Sequence, residues 1–77
     1  MNTRLILPPH ESHDPEGWGD DLTLYTDLDA IPRVGDELNI HKDAFKGVVS
    51  VERIEWHIDD THGSPYVLVY CRFPDAT

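Results

Sequence analysis

Positive charge is scarce in this chain, and the scarcity excludes more than any motif it contains. Six Lys and Arg stand against fifteen Asp and Glu, for a formal net charge of −9. Affinity for nucleic-acid phosphates comes from cations that displace condensed counterions. The cations here are scattered at Arg4, Arg33, Lys42, Lys46, Arg53 and Arg72. They form no basic stripe, so direct nucleic-acid binding is disfavoured. Cysteine is nearly absent, and Cys71 alone cannot close an internal disulfide. With no basic segment leading into an apolar run at the N-terminus, the expectation is a reduced protein of the cytoplasm. No stretch approaches the ~20 apolar residues that a membrane span requires, so no membrane role is expected. The 77 residues leave room for one small-core domain, spanning 1–77, and none for a separate cofactor domain.

Catalytic patterning is missing as well. Ser12, Ser50 and Ser64 lack a G-x-S-x-G elbow, and no glycine loop is built to cradle phosphate. Cys71 falls mid-strand on an apolar face, where desolvation raises a thiol's pKa and favours packing over reactivity. A barrel of this size also offers little volume for a water-excluding cleft. The chain reads as a non-enzyme without a cofactor. Histidine and carboxylate come together twice, as His57, Asp59, Asp60 and His62 around the last turn and as His10, His13 and Asp14 in a polar loop. By ligand type these sets suit zinc, copper or nickel, but neither has the spacing of a structural zinc motif or a thiolate pair. Solvated polar side chains account for both, and no metal is assigned.

What is present is strand patterning. Arg4 to Leu7 is a short apolar run stopped by Pro8 and Pro9, since proline cannot continue a sheet ladder. Residues 8–21 are polar and aperiodic, a long loop for so small a domain. Trp18, between Gly17 and Gly19, either folds back to plug one end of a barrel or stands out as an anchor for a partner. Leu22 to Thr26 alternates with period two, Leu22 and Leu24 inward, and Asp27 to Ala30 fits one helical turn. His41 to Gly47 reads as a polar connection. From Val48 to about Asp59 runs the longest strand, whose apolar parity switches from Val49 and Val51 to Ile54, Trp56 and Ile58. Such a switch requires a bulge or bend near Glu52 and Arg53. In the last strand Val67, Val69, Cys71 and Phe73 make one face, and Tyr66, Leu68, Tyr70 and Arg72 the other. Bulk on both faces marks a central strand or an exposed aromatic surface.

The most ordered phrase is Ile31-Pro32-Arg33-Val34-Gly35-Asp36-Glu37-Leu38. Pro32 extends Ile31, Gly35 supplies the positive φ of a tight turn, and Asp36 can bond back to nearby backbone amides. It leads into a strand with Leu38 and Ile40 inward. The predicted fold is therefore mainly β: a small SH3-like barrel of about five antiparallel strands. IPRVGDEL, followed by GVVSVERIEWHI and YVLVYCRF, resembles a pattern in small uncharacterised bacterial and phage proteins with SH3-like barrels. The likeness covers Ile31 to Phe73 and implies no function, because this architecture hosts many roles.

Two functional readings follow. In the first, the chain is a protein-interaction module whose aromatic face, Tyr66, Leu68 and Tyr70 with Trp18 and Tyr25 as neighbours, receives a protein partner or a second copy in a homo-oligomer. In the second, it is an acidic phage-encoded inhibitor, similar in size and acidity to anti-CRISPR proteins. Asp14, Glu16, Asp20, Asp21, Asp27 and Asp29 would then mimic phosphates and occupy a basic channel of a host complex. Ten acids between Glu11 and Asp43, with only Arg33 and Lys42 beside them, give that part of the chain its negative field.

Overall fold

The structure is a computed structural model that describes residues 2–11, 13–58 and 65–74. It is all-β, with five strands: β1 (Asn2–Leu7), β2 (Leu22–Asp27), β3 (Glu37–Lys42), β4 (Phe45–His57) and β5 (Tyr66–Arg72). They form one sheet in the order β2-β1-β5-β4-β3, curled into the half-barrel of a small SH3-like architecture. Three of the four pairings are antiparallel; β1 and β5 run parallel, which places the last strand at the centre of the sheet. Among the described residues there is no helix, and none therefore long and apolar enough to cross a membrane.

The concave side holds the core. Leu5 and Leu7 of β1, Leu24 of β2, Ile40 of β3, Phe45, Val49 and Val51 of β4, and Val67, Val69 and Cys71 of β5 are buried there. Each set alternates with period two, as half-buried strands require. The parity switch in β4 is a bulge: Val51 pairs with Cys71 and Arg53 with Tyr70, leaving Glu52 as the extra residue. Ile54 and Trp56 thereby return to the side of Val69 and Val67.

The IPRVGDEL segment explains how that bent strand is held. Asp36 N–H donates to the Arg33 carbonyl at 3.0 Å, and Asp36 Oδ2 accepts from Arg33 N–H at 2.8 Å. Gly35, at φ 96°, is the third residue of this turn, the place where a type II turn needs positive φ. Gly35 N–H then donates to the Val51 carbonyl, and Val51 N–H to the Asp36 carbonyl, both at 2.9 Å. Two residues opposite one, the first a glycine at positive φ, make a G1 bulge. The turn is thus bonded to β4 at Val51, immediately before Glu52, where β4 itself bulges.

Three local expectations need correction. Asp27 to Ala30 forms no helical turn: β2 runs through Asp27 and the chain then bends. The connection at His41 to Gly47 shrinks to Asp43 and Ala44, because β3 continues to Lys42, which pairs directly with Phe45. The ring of Phe45 lies over Gly47, where a Cβ would sit 3.1 Å from its Cζ, so glycine here makes room for an aromatic and does not end a loop. Finally, β4 stops at His57, and Ile58 is 82% exposed, outside the core its parity suggested.

Candidate interaction face

The convex side of the sheet carries every side chain whose parity is opposite to the core. Through successive pairings Tyr25 lies beside Arg4, Arg4 beside Leu68, and Leu68 beside Glu55. One step along, Ile6 lies beside Tyr70, and Tyr70 beside Arg53. Tyr25, Tyr66, Leu68 and Tyr70 therefore share one surface across β2, β1 and β5. Sheet register alone brings them together, since these residues come from both ends of the sequence.

Charged side chains tie the rings into a continuous layer. The Arg53 guanidinium sits 4.2 Å from the Tyr70 ring centre and 3.5 Å from Glu55. His57 Nε2 is hydrogen-bonded to Glu55 Oε1, and its ring stacks on Tyr66 at 4.8 Å and 8°. On the other side of Tyr66 the Arg4 guanidinium stands at 4.1 Å, and it reaches Tyr25 at 5.4 Å. Arg53 and Glu55 are well exposed, so that ion pair contributes little by itself. The ring contacts matter more, at about 0.5–2 kcal/mol each depending on desolvation. Arg4 Nε is buried with no hydrogen-bond partner among the described residues, so the cation under the tyrosines is partly desolvated and its attraction to them correspondingly strong.

Arg4, Arg53 and His57 belong to this layer; strand parity turns each of them outward, and the sheet register decides which ring each one meets. Each lies an even number of residues from another outward residue once the Glu52 bulge is allowed for. Bulk and aromaticity, which single out the tyrosines, do not mark these three.

Trp18 lies on the loop between β1 and β2. It is 74% exposed, so it does not plug the barrel. Its indole N–H donates to Glu16 Oε2 at 2.6 Å, and its backbone N–H to Asp14 Oδ1 at 3.1 Å. Histidines of the same loop, not the tryptophan, meet rings at the core's edge: His10 stacks on Phe73 at 4.0 Å, His13 lies 6.3 Å from the same ring, and Phe73 meets Phe45 edge-on at 5.7 Å. His13 Nε2 also donates to the Pro8 carbonyl at 2.7 Å. The loop is therefore tied to the core's open end through rings the sequence offered as metal ligands. Among the described residues no three His, Cys, Asp or Glu are grouped to hold a metal. Asp59, Asp60 and His62 lie outside the described residues, so only His57 of that set is placed.

The six acids of the mimicry reading divide in two. Asp14, Glu16, Asp20 and Asp21 lie on the loop that precedes β2, whereas Asp27 ends β2 and Asp29 follows it. The six-residue length of β2 puts roughly 17 Å between the two groups. Asp14 is also committed to the loop. Desolvation pulls its pKa upward, but hydrogen bonds from the Trp18, Gly19 and Asp20 amides, with the charge of His13, outweigh that and hold it below the ordinary carboxylate value. Its carboxylate acts as a loop staple.

Cys71 is buried on the core side, its Sγ–H directed to the Val69 carbonyl at 3.5 Å, and burial pushes its pKa up to about 11. The thiol is therefore expected to react with a disulfide reagent only as fast as the protein opens; rapid labelling of the folded chain would contradict its placement. A folded pKa of about 11 against the thiol's ordinary value of 9.0 also sets the sign of a pH effect. The folded state holds the proton more tightly, so its advantage, on the order of 2–3 kcal/mol, is complete below pH 9 and lost as pH rises toward 11.

In comparisons with protein-family models, curated proteins and solved structures, the chain matches none of them. Fold and surface chemistry carry the functional reading on their own.

Proposed function

We propose that the chain is a non-enzymatic protein-interaction module that binds a protein partner through the convex face formed by Tyr25, Tyr66, Leu68 and Tyr70. The observation that carries this reading is the preassembled Tyr–Arg layer. Tyrosine and arginine dominate the energetics of protein interfaces. Rings already stacked on guanidinium groups and on His57 lose little further freedom when a partner arrives. Trp18 adds a separate exposed contact on its loop. A cytoplasmic setting suits the single reduced thiol. Self-association on the same face is opposed by the net charge of −9. The inhibitor reading ranks second, since its acids are split along β2 and Asp14 is spent on loop amides.

The test is affinity capture from cells of the source with the wild-type chain and with a Tyr66→Ala, Tyr70→Ala double variant whose fold is verified by circular dichroism. Loss of the captured protein by the double variant is expected. Undiminished capture by it, with loss on Asp20→Asn and Asp21→Asn, would instead establish the acidic reading.

A further inference from the structure

We propose that the open seam of the half-barrel, between edge strands β2 and β3, takes up a basic, extended segment of a partner protein as an additional strand. This surface is distinct from the convex tyrosine face, so its test can fail while that reading stands.

The sheet is not closed: β2 and β3 are its two ends and do not pair with each other. Between them lies a cleft of about 460 Å³ whose apolar floor is Leu5, Leu28, Leu38 and Ile40. Ladder phase shows which main-chain groups of β3 look into it. The Asp36 carbonyl accepts from Val51, so in an antiparallel pair the alternate residues Leu38 and Ile40 bond to β4. The backbones of Glu37, Asn39 and His41 are then directed to the seam. An incoming strand would bond to these groups and place alternate side chains on the floor, the arrangement of strand addition.

Charge selects the occupant. Asp27, Asp29, Asp36, Glu37 and Asp43 line the cleft or adjoin its lining residues in sequence, against two cations, Lys42 in the lining and Arg4 beside Leu5, the second of which is turned to Tyr25 and Tyr66 on the convex face. A second copy of this chain would bring its own −9 charge to an acidic rim and is repelled. A segment alternating Lys or Arg with apolar residues satisfies rim and floor together.

The experiment is a titration of the isotopically labelled full chain, followed by amide NMR, with an acetylated and amidated strand-length peptide of alternating lysine and valine. The glutamate-valine counterpart serves as comparison. Shifts centred on Glu37, Asn39 and His41 are expected, with the acidic peptide bound about tenfold or more weakly. Asn39→Pro removes an N–H aimed at the seam but none from the β4 ladder, and should weaken the basic peptide by about tenfold. Because proline could disturb the strand, Asp29→Asn combined with Glu37→Gln provides a second variant, expected to narrow the gap between the two peptides. Equal binding of both peptides, shifts centred on Tyr66 and Tyr70, absence of binding at millimolar peptide, or concentration-dependent dimerisation that protects β3 amides without peptide would each overturn the proposal.

Discussion

Leu7→Ala is expected to lower stability by about 3–5 kcal/mol, enough to leave much of the protein unfolded near physiological temperature. Leu7 is wholly buried on β1, which is paired on both sides, with β2 and with β5. Little backbone movement can fill the hole left by truncation, so the cavity cost adds to the lost transfer energy. A domain of 77 residues has only about 4–12 kcal/mol in total. At about 4–8 °C per kcal/mol the melting temperature should fall by more than about 12 °C, read by circular dichroism. Ile6→Ala, one residue along on the convex side, is expected to cost less than half as much. Equal losses at the two positions would mean that β1 does not separate an inside from an outside as described.

Gly35→Val is the second large effect, expected to cost about 2–3 kcal/mol, while Gly35→Asn costs about 1 kcal/mol. A Cβ at this position meets nothing within 4 Å, so steric crowding by neighbours is not the reason. The cost lies in the backbone: φ is 96°, a β-branched residue is strongly disfavoured there, and asparagine tolerates it better. The loss should also appear as faster amide exchange at Val51, whose N–H is held by the Asp36 carbonyl. Denaturant midpoints for the two variants check the ranking. A valine variant as stable as the asparagine variant would contradict the turn-and-bulge geometry.

The legible parts of the fold were those where a local rule and the global fold agree. Alternation marked both faces of β5, and the parity change between Val51 and Ile54 called for a bulge or bend near Glu52 and Arg53, which the structure shows as a bulge at Glu52. Gly35 and Asp36 announced their turn because few residues supply a positive φ or a carboxylate within reach of a backbone amide. The parallel pairing of β1 with β5 had no local signature, since it joins segments about sixty residues apart. The tight β3–β4 hairpin was hidden by Gly47, which reads as a loop breaker but packs under Phe45. The tyrosine face could be named one residue at a time from parity. Its Arg4 and His57 members required the register, because each touches Tyr66 only after β1, β4 and β5 are set side by side.

Resistance to salt tests the tyrosine face most directly. The captured complex would be washed in steps from low salt to about 1 M, where the Debye length falls to about 3 Å and exposed charge pairs are screened. A partner still bound at the last step is expected of contacts made by Tyr66, Leu68 and Tyr70. Release of the partner at moderate salt would contradict that face and move the binding site to the carboxylates.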